Sequence, residues 1–431
     1  MTAGQLLLRA AWALPLDAPP IPDAALLIAD GRIAAIGPAN AVAAPEGIEK
    51  LDLSDAALLP GLVNAHTHLE LTGIEERAGD DFPSWILNIR RLKQARSTTQ
   101  FLTAAKAGLR DCWAGGITTI ADTGDSGAVI QALAEMGGAG VTYQEVFGPN
   151  PAQLEDSFGG LSRRVDELRR FAGDRIRLGV SPHAPYTVSG PLYSRVAEWA
   201  DREGLPLAVH VAESRAETQF VTSRSGPFAE AWKLRGIPLL DDPLHLPPPA
   251  SQLTPVSWLH ALGVLGPATL CIHAIQLTES DLRLLQKSGA AVAHCPVSNA
   301  RHRHGTAPLD ALRSMGVRVG LGTDSVASVG TLDLFAEMRA ARDLARLRDE
   351  DTLTLATIEG ARALGLEREI GTLTPGKWGD VIAVRIWDSN PSPRSEPPLH
   401  RIVAGSPSEV LLTVLGGRIV HSLLPPHDRR P

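Results

Sequence analysis

Eight times along this chain a short apolar run ends in polar residues and gives way to a stretch of helical period. The runs are "LLPGLVNAHTH" (58–68), "GITTIADTG" (116–124), "AGVTYQEVFG" (139–148), "IRLGVSPHAP" (176–185), "LPLAVHVAE" (205–213), "TLCIHAIQL" (269–277), "AAVAHCPVSN" (290–299) and "VRVGLGTDS" (317–325). Between them lie helix-like segments such as "TAAKAGLRDCWA" (103–114), "LSRRVDELRRFAG" (161–173) and "TESDLRLLQKSG" (278–289). Strands apolar on both faces belong to a buried parallel sheet, and eight of them alternating with helices predict an α/β chain with a closed (β/α)8 TIM barrel. The C-terminal strand ends of such a barrel form its active-site rim, and the polar ends of these runs fall there.

The two ends of the chain break this pattern. "ALLIADGRIAAIG", "IGTLTPGKWGDVIAVRI" and "VLLTVLGGRIVHS" pair apolar strands with tight turns. The expected organisation is a small β-sandwich from residues 1–57 and 367–431 beside a barrel at 58–366. "WDSNPSPRSEPPLH" (387–400) reads as a surface loop, and the proline-rich stretch 236–255 reads either as a lid over the strand ends or as a plain insertion.

Composition narrows the partners. A net charge of −7 with no Lys/Arg run argues against nucleic acid and for a small-molecule substrate. Three widely spaced cysteines, Cys112, Cys271 and Cys295, fit reduced core thiols in a cytoplasmic protein. "GQLLLRAAWAL" is too short to span a bilayer and reads as a strand, so no membrane association is expected. The exposed helices of a barrel leave room for a homodimer.

In a strand, residues i and i+2 project to the same side, so His66 and His68 both face the barrel interior at its rim. An isolated His-x-His is equally a pair of hydrogen-bonded core residues. Here His210 closes the fifth run and Asp324 the eighth, which completes three nitrogens and one carboxylate drawn from different strands. That set suits one divalent ion, zinc first and iron as the alternative, since both accept these donors. Glu213, three residues past His210, can face an activated water without being a ligand and is the expected general acid/base. His273 ends the sixth run beside the water or the leaving group; alternatively it is a core histidine.

The motifs "PGLVNAHTHLE", "HVAE", "CIHAIQLT", "HCPVSN", "GLGTDS" and "GTLTPGKWGDVIAV" together resemble the amidohydrolase superfamily. The branch is that of cytosine, guanine and methylthioadenosine deaminases and the s-triazine chlorohydrolases. The resemblance spans nearly the whole chain. It implies a mononuclear site with His66, His68, His210 and Asp324 as ligands, Asp324 also taking a proton from the attacking water. It further implies that Glu213 carries protons to a ring nitrogen and that His273 orients the water. Relatives with two metals supply a carboxylated lysine at the fourth strand; "VSPHAPYT" has none. Glu145, ending the third run, could bridge a second ion, but a role at the substrate is favoured.

"SPHAPYTVS" resembles the nucleoside-holding stretch of the methylthioadenosine and adenosylhomocysteine deaminases, which makes His183 a substrate contact. "HTHLELT" and "FPSWILNIRRL" look more like the aminodeoxyfutalosine deaminases of menaquinone biosynthesis. Their substrate carries a benzoate, which Arg90 or Arg91 could bind bidentately; a solvated arginine pair is the alternative. Trp85 either stacks on an aromatic ring or anchors the loop. The expected activity is hydrolytic deamination of a 6-aminopurine nucleoside, aminodeoxyfutalosine above others. The alternatives are a different ring or leaving group (methylthioadenosine or adenosylhomocysteine, guanine, a cytosine-like base, a chlorotriazine) and a non-catalytic scaffold. The H-x-E with P-C-x-x-C pattern of the cytidine-type zinc deaminases is absent.

Overall fold

A computed structural model describes residues 5–43, 45–74, 81–238, 253–387, 396–424 and 429–430. The expected lid or insertion at 236–255 and the loop at 387–400 lie largely outside them. Two compact units result: residues 1–64, 109–119 and 332–431 form one, residues 65–108 and 120–331 the other.

The chain begins with β1 (Leu6–Ala13), β2 (Ile21–Ala29), β3 (Arg32–Pro38) and β4 (Glu49–Pro60). Asp30 (φ 51°) and Gly31 (φ 76°) between β2 and β3 both take left-handed backbone, the geometry a two-residue hairpin turn needs to match strand twist. The barrel strands follow: β5 (Leu62–Thr67), β6 (Ile117–Gly124), β7 (Gly140–Val146), β8 (Ile176–Pro182), β9 (Leu207–Val211), β10 (Thr269–His273), β11 (Ala291–His294) and β12 (Val319–Leu321). All eight expected runs are strands of one sheet ordered β5 to β12. Every residue of these strands except Arg177 is buried, as a parallel sheet covered on both faces requires.

The first run divides at Pro60–Gly61. Leu58, Leu59 and Pro60 finish β4, pairing with β13 (Val381–Arg385), and the barrel strand starts at Leu62. A side chain at Gly61 would collide with Thr118, so the chain turns between sheets where only glycine fits. The second sheet adds β14 (Val410–Leu415) and β15 (Arg418–Ser422) in the order β15-β14-β13-β4-β1-β2-β3, and the short β16 (Arg429–Arg430) beside β4, with β1 and β4 parallel and the other pairs antiparallel. Leu8, Leu26, Leu53, Leu58, Val381 and Leu412 pack together in its core.

A bridge between Thr67 and Asp324 joins β5 to the chain just past β12. The amides of Thr323 and Asp324 both donate to the His66 carbonyl at 3.0 Å. Gly322 makes this approach possible, because a Cβ there would lie 2.7 Å from His66 Cβ. The seam that closes the strand ring therefore brings Asp324 against His66. The three cysteines are buried, and no helix among the described residues is long and apolar enough to cross a membrane.

Candidate active site

His66 lies on β5 and His68 directly after it, with ring centroids 4.7 Å apart. The His210 ring from β9 is 5.1 Å from His66 and 5.5 Å from His68. Asp324 Oδ1 stands 3.7 Å from His66 Nε2 and 3.6 Å from His68 Nε2. Donor atoms of His66, His68 and Asp324, and separately of His66, His210 and His273, fall within 4.8 Å of one another.

The surroundings aim these groups. His68 Nδ1 lies 2.7 Å from the Thr123 carbonyl and His210 Nδ1 3.2 Å from the His183 carbonyl. A carbonyl only accepts, so each Nδ1 carries the hydrogen and each Nε2 presents its lone pair. Burial, followed by the neighbouring imidazoles, holds His66 and His210 well below the usual histidine range. Burial likewise lowers His68. Neutral imidazole is the form that ligates. Asp324 Oδ2 accepts from Ser298 Oγ at 2.6 Å and Oδ1 from the Ser325 amide at 2.6 Å. Three neutral nitrogens and one oriented carboxylate at one rim are a donor set that fits a divalent ion.

Glu213 follows β9 by two residues. Ala212 between them has φ 53°, a strained conformation for a residue with a Cβ. Glu217, in α2 (Arg215–Ser223), secures that turn by accepting from the Ala212 amide at 2.7 Å and the Glu213 amide at 2.9 Å. Glu213 Oε1 lies 3.4 Å from His273 Nε2, and Oε2 accepts from the Tyr186 hydroxyl at 3.5 Å. Burial, then the charges of Glu217 and Asp324, push the Glu213 carboxyl well above its ordinary range, which favours its protonated form. His273 (φ 72°) and Asp324 (φ 58°) share the left-handed backbone of Ala212. Strained backbone thus recurs at three strand ends around one site.

His68, His210, Glu213, His273 and Asp324 line a cavity of about 750 Å³. His183, Glu145, Trp85 and Arg90 also line it. Arg91 does not; it is exposed and donates to Asn88 Oδ1 at 3.0 Å. Both arginines sit on α1 (Phe82–Gln94), whose neighbours project about 100° apart, so one can face the cavity while the next faces away. The Trp85 ring lies nearly parallel to Phe82 at 5.8 Å. Burial pushes the Glu145 carboxyl up to about 8 and the His183 imidazolium down to about 3.

An ionic group that no sequence motif marks stands at the same site, built around the buried Glu70. Lys93 Nζ, near the end of α1, is 2.5 Å from Glu70 Oε1 and 2.6 Å from Asp125 Oδ1. Glu70 stood in view in "HTHLE", and Lys93 lies on the helix face that carries Phe82, Ile86, Ile89 and Arg90. Seven-residue and three-residue offsets along that face were the available signal.

The model of the "Amidohydrolase family" matches residues 57–420. The 5-methylthioadenosine/S-adenosylhomocysteine deaminase of Desulfitobacterium hafniense strain Y51 is 31% identical, covering 96% of this chain and 93% of that one. An adenosine deaminase from Xanthomonas campestris, solved with bound zinc, superposes with a TM-score of 0.82 at 26% identity, over 96% of this chain and 92% of that one. The aminofutalosine deaminase of Helicobacter pylori shares the fold (TM-score 0.78, 20% identity, 96% of this chain and 99% of that one). By its match over most of its length, and by relatives at this identity, the chain belongs to the amidohydrolase family and is a hydrolytic enzyme.

Proposed function

We propose that this enzyme hydrolytically deaminates a 6-aminopurine nucleoside, with aminodeoxyfutalosine as its specific substrate, in menaquinone biosynthesis. The observation that carries the reading is the meeting of His66, His68, His210 and Asp324 with Glu213 and His273 beside an aromatic-walled cavity large enough for a nucleoside. His66, His68, His210 and Asp324 would hold one divalent ion, zinc before iron. When bound, such an ion supplies Lewis acidity that brings the pKa of water toward roughly 7.

The chain's own groups do the rest. Asp324 takes the proton the attacking water gives up as oxygen bonds to the ring carbon that bears the amino group. Glu213 delivers a proton to the adjacent ring nitrogen, and His273 Nε2 orients the water. The amino group then takes the proton held on Asp324 and leaves as ammonia, while the new hydroxyl returns its proton to Glu213 and becomes a carbonyl. His183 and Glu145 contact the nucleoside, Trp85 stacks on its distal ring, and Arg90 binds the carboxylate bidentately.

A second reading, methylthioadenosine or adenosylhomocysteine as substrate, is favoured by the Desulfitobacterium relative. Ammonia release by the metal-loaded enzyme from aminodeoxyfutalosine, methylthioadenosine, adenosylhomocysteine, adenosine, guanine and cytosine separates the two. The expected result is one nucleoside with kcat/KM above about 10⁴ M⁻¹s⁻¹ and aminodeoxyfutalosine leading. Preference for adenosylhomocysteine would replace the first substrate with the second, and release from none of the nucleosides would end the purine reading. Glu213→Gln should lower kcat at least about a hundredfold while keeping the metal; normal turnover would remove its proton-carrying role.

A further inference from the structure

His304 follows α3 (Pro296–Arg301), outside the polar ends of the barrel strands that drew attention to the other groups. It is 5% exposed, and neither ring nitrogen makes a hydrogen bond among the described residues. The ring is wedged in place, edge-on to Phe82 at 4.4 Å and parallel to His302 at 5.3 Å. Its own amide donates to the Asn299 carbonyl at 2.9 Å, and its carbonyl accepts from Gln276 Nε2. Packing alone would be served better by an apolar side chain, because burying two unbonded nitrogens is costly. One polar group is within reach. His304 Nδ1 stands 3.6 Å from Glu213 Oε1.

We propose that His304 is a positioning residue for Glu213, its Nδ1–H holding the carboxylate whenever Glu213 has given up its proton. This rests on Glu213 being the proton carrier. The other neighbour of Oε1 cannot do the same work. His273 Nδ1 faces Asn299 Oδ1 at 3.0 Å, while the Asn299 amide nitrogen points to His294 Nδ1 at 3.5 Å. That arrangement puts the hydrogen of His273 on Nδ1 and leaves its Nε2 as an acceptor toward Glu213. His273 therefore complements the protonated carboxyl, and it has nothing to donate to the ionised one.

Tyr186 already donates to Oε2, and His304 supplies the donor for Oε1. Burial holds its imidazolium down to about 3, so near neutrality it has one N–H to place and no charge. The 3.6 Å separation is longer than a hydrogen bond, as contacts of catalytic groups often are before substrate tightens them. Because the same ring rests on Phe82 of α1, the helix that walls the cavity also backs the group that holds Glu213.

The test uses the metal-loaded enzyme and two substitutions. His304→Leu keeps the packing and removes the donor; His304→Asn puts an amide nitrogen where Nδ1 stands. The expected result is a roughly 10- to 100-fold loss of kcat in His304→Leu, the scale of one hydrogen bond to a charged group. KM should stay within about threefold and Tm should not fall, with most of the loss recovered in His304→Asn. Unchanged kcat in His304→Leu, or equal losses in both variants, would overturn the proposal. In a Glu213→Gln background, His304→Leu should cost nothing further; an undiminished additional loss would also overturn it. Full activity in Glu213→Gln would instead remove the role that both readings share. A readout free of turnover is the ¹⁵N NMR tautomer of His304 at pH 7: hydrogen on Nδ1 is expected, and hydrogen on Nε2 contradicts the proposal.

Discussion

The chain builds two eight-stranded sheets and fills them differently. The terminal sheet buries Leu8, Leu26, Leu53, Leu58 and Val381 against one another, and the buried Asp380, just before β13, accepts from the Gly416 amide at 2.8 Å. The barrel sheet is as thoroughly buried, yet its strand ends carry His66, His210, Glu213, His273, Glu70, Glu145 and Asp324 into the interior. Desolvating such groups opposes folding unless each finds partners. The difference indicates that the apolar sheet adds stability, while the polar rim gives up some of it for chemistry, which is where backbone strain at Ala212, His273 and Asp324 also gathers.

The comparison can be broken most sharply at Asp324. Asp324→Ala should reduce turnover on the order of 10⁴-fold or more while leaving the circular dichroism spectrum intact. An unfolded variant would mean that the rim carries stability after all. Next in size is Lys93→Met, which leaves Glu70 buried without its cation. Although burial acts to raise the Glu70 carboxyl, the Lys93 charge holds it down at about 2. The expected destabilisation in denaturant is about 3–5 kcal/mol, partly restored by adding Glu70→Gln. A loss under about 1 kcal/mol would show that solvent screens the pair.

Leu26→Ala in the terminal sheet should cost about 2–5 kcal/mol of stability with kcat per folded molecule unchanged. A matching fall in kcat would erase the division of labour. A further effect concerns pH. Burial, with the charges of Asp125 and Glu70, raises Glu145 from 4.5 to about 8 against the opposing pull of Lys93. A carboxyl raised on folding adds stability that is fully present below pH 4.5 and is lost as pH rises through 8. In chelator-treated protein, Glu145→Gln should flatten that decline across the same window. An unchanged slope would mean Glu145 is ionised in the fold.

Much of this was legible in the sequence because the barrel repeats one local signal. Apolar runs with polar ends announced all eight strands, and the i, i+2 spacing of His66 and His68 announced their convergence. The division at Pro60–Gly61 was hidden because an apolar run looks the same whichever sheet receives it; only the pairing of Leu58 with Ala383 reveals the change. Lys93 and Glu70 were missed because a charge on an amphipathic helix reads as solvated until the helix docks. Arg90 and Arg91 could not be told apart without the helix's rotation about its axis. His304 lies in "HRHG", which has no strand or helix period, and its relation to Glu213 joins residues ninety-one positions apart.

The central claim is that one divalent ion is held by His66, His68, His210 and Asp324. The measurement that tests it most directly is metal content per chain in the purified wild type, Asp324→Ala, Glu145→Gln and Glu213→Gln after dialysis against zinc. One ion in the wild type, loss in Asp324→Ala, and retention in the other two are expected. Two ions in the wild type, with one lost in Glu145→Gln, would contradict it.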